Sequence, residues 1–156
     1  MKSVEELLNE SDRLLGELVV ADVELAGALS DDSEARRQLK SAEQELSLAE
    51  AEVITTAVTQ ANMKEGPLAG IAKTSDAYKM AVAKLLADAH QGDLNRVYLR
   101  TKQRQIQADD RKVALEQATV RFSAIRHASN LLASMLQATI SISQGATHDN
   151  VVSNAQ

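Results

Sequence analysis

The sequence has no cysteine and no tryptophan, and it has one proline and six glycines in 156 residues. Without cysteine there is no disulfide and no thiolate metal ligand. Aromatic residues number three, Tyr78, Tyr98 and Phe122. A globular core usually draws much of its buried area from aromatic rings, so this chain needs another way to bury surface. No stretch approaches 18 consecutive apolar residues, so no membrane span is expected. The segment Met1-Lys2-Ser3-Val4-Glu5-Glu6 turns acidic at once and lacks an apolar core region, so no signal peptide is expected and the default location is cytoplasmic.

What the chain has instead is alanine, 25 residues of it, among leucine, valine and isoleucine. That mixture suits close packing of helices. Between Gly92 and Gly145 there are 52 residues, Asp93 to Gln144, with neither glycine nor proline. As one helix, at the usual rise per residue, they would extend roughly 78 Å. A compact globule of this length is only about 40 Å across. The expected fold is therefore all-α: an elongated antiparallel helical bundle or coiled coil with one long C-terminal helix.

The net charge of −5 hides an asymmetry. Residues 1–63 hold 5 basic and 14 acidic side chains, and residues 64–127 hold 12 basic and 7 acidic. Two readings follow. Oppositely charged helices fold onto each other, or the basic half meets a polyanion.

Local signals divide 1–144 into one helical domain of four helices, with 145–156 as a flexible polar tail. The first helix spans about 4–28, opened by a capping box of Ser3 and Glu6. Its seam runs through Val4, Leu7, Leu14, Leu18, Ala21, Leu25 and Ala28. Gly16 and Gly27 weaken it and leave room for a neighbour to approach. Ser30-Asp31-Asp32-Ser33 reads as a turn and a new N-terminus. The second helix, 33–64, alternates Ala35, Leu39, Ala42, Leu46, Ala49 and Val53, and is expected antiparallel to the first. Gly66, Pro67 and Gly70 interrupt the chain. A short helix, 75–90, follows, capped by Thr74 or Ser75, with Tyr78, Val82, Leu85, Leu86 and Ala89 on its apolar side. Gly92 ends it, and Asp93 caps the long helix, 93–143.

In that long helix Leu99, Ile106, Val113 and Val120 recur every seven residues and read as half a seam. From Leu115 the apolar face widens through Ala118, Phe122, Ile125, Leu132, Leu136 and Ile140, with Ala124, Leu131, Met135, Ala138 and Ile142 beside it. The first two helices are expected to pack on this C-terminal part. Any bend should fall near Asp109–Lys112, where the pattern changes width.

The chemistry-bearing motifs are few. A di-metal bundle needs Glu-x-x-His pairs, and His90, His127 and His148 have Ala87, Ala124 and Gly145 three residues earlier. No metalloprotease helix, phosphate loop or nucleophile elbow occurs. No catalytic residue, metal site or cofactor is expected. The candidate binding residues are Arg96, Tyr98, Arg100, Lys102, Arg104, Arg111 and Lys112. Arg96, Arg100 and Arg104 are one turn apart in an acid-free window, and Tyr98 beside them could stack on a base. The same residues could equally answer the acidic half of the chain.

The stretch from Val53 to Ala133 joins an alanine-rich helix, the loop Gly70-Ile71-Ala72-Lys73-Thr74-Ser75-Asp76, a short helix and a long polar helix. It resembles a group of small helical coiled-coil proteins of phages and prophages, often encoded near single-strand-annealing recombination genes. Thr74 and Tyr78-Lys79 stand where that pattern has Asn and Arg. The resemblance implies a phage setting, in DNA metabolism or host interaction, and no catalytic residue. The expectation is a non-enzymatic phage-type protein that docks helical faces to a host or phage protein, self-associates as a dimer or higher oligomer, and meets no membrane. The alternative is an accessory factor in recombination or replication that binds single- or double-stranded DNA.

Overall fold

The computed structural model describes the backbone of residues 3–153 and the side chains of residues 3–142. Three α-helices account for it: α1, Val4–Asn62; α2, Asp76–Gln91; and α3, Asn95–Ser153. There is no strand among the described residues. The chain is all-α with a long C-terminal helix.

α1 opens with the expected capping box. The Ser3 amide donates to Glu6 Oε2 at 2.7 Å, and the Glu6 amide donates to Ser3 Oγ at 3.2 Å. Reciprocal capping satisfies two of the amides that a helix start leaves open. The helix then runs 59 residues, through the expected turn at Ser30–Ser33. The expected first and second helices are thus one helix and cannot be antiparallel to each other. The reason is in the heptad phase. Ala28, Asp32 and Ala35 keep the four–three spacing of the flanking seams, and Asp32 is buried at 7% exposure. Side-chain pairs with arginines hold Asp31 and Asp32 in the helix: Asp31 with Arg111 at 2.9 Å, and Asp32 with Arg36 at 2.7 Å.

α1 ends at a tight loop. Lys64 and Gly66 both take positive φ, 63° and 79°. A Cβ on Gly66 would also lie 2.9 Å from Gln60 Oε1, so glycine fits here on both counts. Leu68, 2% exposed, anchors the loop. The Ser75 hydroxyl caps α2 by accepting the Tyr78 amide at 3.2 Å, as expected, and Gly92 closes the helix. α3 starts at Asn95, two residues after the Asp93 expected to cap it.

The chain divides into two compact units. In the first, residues 1–30 of α1 pair with α3 from Val113 onward. Leu7, Leu14 and Leu132 form its core, with Ala128 and Leu136 packed against them. Toward α1, α3 presents Leu115, Ala118, Phe122, Ile125, Ser129, Leu132, Leu136 and Thr139, all at least half-buried. Thr139 takes the place expected for Ile140, which is exposed.

In the second unit, residues 31–62 of α1 meet α2 and α3 up to Lys112. Ala42 and Ala108 are buried here, and the small side chains allow the helices to lie close. Thr101 is buried among them. Its Oγ1 lies 3.2 Å from the Ala42 carbonyl and 3.1 Å from that of Val97, so one hydroxyl proton serves two acceptors. The expected second helix therefore packs on the N-terminal part of the long helix, and only residues 4–30 pack on the C-terminal part.

The half-seam expected from Leu99, Ile106, Val113 and Val120 is exposed, at 57%, 61%, 51% and 69%. The buried line of this part of α3 runs through Val97, Thr101, Arg104 and Ala108 instead. α3 is continuous across Asp109–Lys112, the place expected for any bend. The tail expected at 145–156 lies partly outside the described residues. α3 carries the backbone to Ser153, and its side chains from residue 143 are not described.

Candidate functional site

Every candidate binding residue up to Lys112 lies on α3 in the second unit. Three of them, Arg100, Arg104 and Arg111, turn their guanidinium groups toward α1. Arg100 donates to both Glu45 carboxylate oxygens, at 3.2 and 3.1 Å. Arg104 donates to Gln38 at 2.5 Å and to Gln107 at 2.9 Å. Arg111 donates to Asp31 at 2.9 Å. Lys102 stands 5.5 Å from the Tyr98 ring centroid, within cation–π range. Lys112 is also engaged in an interaction. Arg96 is exposed and has no ion-pair partner among the described residues.

Tyr98 is already stacked. Its ring lies 4.4 Å from that of His90, with 13° between the planes. His90 Nε2 in turn lies 2.6 Å from Glu50 Oε1. α2 delivers His90 from its last turn, α1 delivers Glu50, and α3 delivers Tyr98, so this node ties all three helices of the unit together. Both members of the Glu50–His90 pair are mostly shielded, at 28% and 22% side-chain exposure. A shallow groove of about 400 Å³ borders the node, lined by Ala87, His90, Gln91, Asn95, Tyr98 and Leu99. A carboxylate and an imidazole could orient a nucleophile, but no serine, threonine or cysteine lines this groove. The node was not visible in the sequence, because 40 residues separate its two polar members.

A second groove, about 320 Å³, lies along the α1–α3 pairing of the same unit and includes Asp31, Glu34, Arg104 and Arg111. Its walls carry both signs of charge. Among the described residues no cluster of three or more metal-ligating side chains occurs. Among the described residues no helix is long and apolar enough to cross a membrane.

The first unit offers a different surface. Of the 18 large hydrophobic residues that are exposed among the described residues, 13 belong to it. On α1 they include Leu8, Leu15, Val19, Val23 and Leu29, and on α3 Val113, Val120, Leu131, Met135 and Ile142. A two-helix pair has one shared seam, so the flanks that widen each apolar stripe have no third helix to cover them. Charge is sparse on the same part of α3. From His127 to Ile142 there is no Asp, Glu, Lys or Arg. On α1, Arg13 is clamped between Glu10 at 2.5 Å and Glu17 at 2.6 Å. The Glu10 hydrogen bond, with the charges of both carboxylates, raises the Arg13 pKa above its ordinary value. Across the pair, Arg121 donates to Glu24 at 2.6 Å.

A groove of about 250 Å³ runs along the first unit between α1 and α3. Leu7, Leu14, Ala128, Leu131, Leu132 and Met135 line it, and Glu10 is the one charged wall among the described residues. Leu131 and Met135, expected beside the core face, are each 54% exposed. No family model, curated protein or solved structure matches this chain.

Proposed function

We propose that this chain is a non-enzymatic interaction protein, of the phage type that its loop and helix pattern resembles, and that it works by docking helical faces to a protein partner in the cytoplasm. One observation carries this: among the described residues the exposed large hydrophobics are concentrated on the first unit, seven of them on α1 and four, Leu131, Met135, Ile140 and Ile142, along a stretch of α3 with no formal charge. Isolated surface hydrophobics are ordinary, but contiguous ones mark contact sites. The nucleic-acid alternative draws on the cations of α3 in the second unit. Three of those, Arg100, Arg104 and Arg111, are engaged with Glu45, Gln38 and Asp31. Tyr98 is engaged with His90. A polyanion would have to displace these contacts.

Paired variants separate the two readings. Capture of protein partners from host extract is compared for the wild type, for Leu131→Glu with Met135→Glu, for Leu8→Glu with Leu15→Glu, and for Arg96, Arg100 and Arg104 all changed to Ala. Docking predicts that nuclease-resistant capture is lost in at least one glutamate pair and kept in the alanine triple. Capture that nuclease abolishes, or that only the alanine triple loses, overturns it.

A further inference from the structure

α2 carries fewer ties than the other helices of the second unit. None of its residues is buried, and its inward side chains, Val82, Leu85, Leu86 and His90 among them, are half-buried. Among the described residues one side-chain hydrogen bond joins it to another helix, that of His90 with Glu50 of α1 at 2.6 Å. α1 and α3 are tied to each other without it, through Arg100 and Glu45, Arg104 and Gln38, Arg111 and Asp31, and the Thr101 hydroxyl on the Ala42 carbonyl. The one polar tie of α2 thus runs through an imidazole, the side chain whose charge changes between about pH 5 and pH 8.

We propose that α2 is a pH-latched helix, docked on α1 and α3 through the charged form of His90 and loosened when that ring loses its proton. The latch lies in the second unit and does not depend on the docking face of the first. A protonated ring gives Glu50 a charge-assisted hydrogen bond. A neutral ring can still donate from Nε2, but such a bond is about half as strong. The Tyr98 ring, stacked on His90 at 4.4 Å, also favours the cation. The other charged groups nearby do not reverse the sign. On α3, Lys102 opposes a second positive charge, but it is exposed and its contact is with Tyr98. Asp88 on α2 and Asp93 just after it, both within three residues of His90, favour the cation. Glu50 touches the ring directly, so its carboxylate decides. A glutamate is ionised above about pH 4.3. The latch is therefore closed near about pH 5.5, and its stabilisation is lost as the pH rises toward about 8. Loosening α2 draws Leu85 away from the groove of about 340 Å³ that it shares with Ala49, Val53 and Ala57 of α1, and opens that apolar strip to solvent.

The test is amide hydrogen exchange of the full chain at about pH 5.5 and about pH 8, each rate divided by the intrinsic rate at that pH, which reads the opening of α2 apart from the rest. In the wild type, α2 protection should be about five- to ten-fold greater at the lower pH. At the higher pH it should fall below that of residues 36–50 of α1 and 97–111 of α3, so that α2 opens first. Glu50→Gln and His90→Gln should each remove the pH difference, because glutamine keeps a hydrogen-bonding group without the charge and is a good helix former. His127→Gln should keep it, since His127 is exposed on α3 in the first unit. Wild-type α2 protection that is equal at the two pH values, or greater at the higher one, overturns the proposal whether or not the variants fold. So does an α2 that opens only together with those parts of α1 and α3. A pH difference that survives Glu50→Gln or His90→Gln, or that His127→Gln removes, also overturns it.

Discussion

Arg111 on α3 and Asp31 on α1 form an ion pair at 2.9 Å across 80 residues of sequence. The contact bears on two questions. It holds an apparent turn residue in the middle of a helix, and it occupies a cation that would otherwise point to a polyanion. Both partners are more than half exposed, so the pair favours one pairing of the helices more than it adds stability. A double-mutant cycle with Asp31→Ala and Arg111→Ala should give a coupling of about 0.2–1 kcal/mol, falling with salt. A coupling well above that range, or one indifferent to salt, would show that the pair is shielded from solvent.

Asp32 is the seam residue next to it. Its Oδ2 accepts from Arg36, while Oδ1 is buried and has no partner among the described residues. A buried acceptor left unpaired costs stability, and replacing a partly satisfied buried charge with an apolar side chain is often stabilising. Asp32→Leu should therefore raise the unfolding free energy by about 1 kcal/mol or more, seen as a higher urea midpoint. A clear loss of stability would mean that Oδ1 is satisfied in solution.

Gly16 and Gly27 sit inside α1, and a Cβ at either would meet nothing within 4 Å. The close approach that the sequence suggested for them is absent. Each change to alanine should stabilise the protein by about 0.5–1 kcal/mol, through helix propensity and a less flexible unfolded chain. Thermal and urea unfolding measure it, and a destabilised variant would reveal a packing role that the open space at these positions does not provide.

Leu68 joins the loop between α1 and α2 to the interior of the second unit. Leu68→Ala should cost about 2–4 kcal/mol, from lost burial and the cavity left behind. An effect under about 1 kcal/mol would place the side chain at the surface.

Much of this architecture was legible in the sequence, and the misses share a physical origin. Caps and loops are local, so the Ser3–Glu6 box, the Gly66–Gly70 loop and the Ser75 cap could be found by inspection. The break at Ser30–Ser33 was a local signal overridden by heptad phase, because Ala28, Asp32 and Ala35 keep the seam in register and arginines answer the carboxylates. Leu99 and Ile106 misled because apolar character was equated with burial. Two paired helices share a narrow seam, and here Thr101 and Arg104 fill it while the leucine and isoleucine stay outside. Charge asymmetry did indicate that basic and acidic segments could pair, as Arg100–Glu45, Arg111–Asp31 and Arg121–Glu24 do. Which carboxylate each arginine takes depends on helix register, and the Glu50–His90 contact needs three helices in place, so neither could be read from spacing.

On the proposal above, this chain meets a protein through the apolar faces of its first unit and not a nucleic acid through the cations of α3. Titration of labelled single- and double-stranded DNA at about 50 mM and about 200 mM salt tests it most directly, because phosphate contacts are strongly salt-dependent. No binding is expected up to about 10 μM protein at the lower salt. Micromolar binding that weakens steeply at the higher salt, and that disappears when Arg96, Arg100 and Arg104 become alanine, would contradict it.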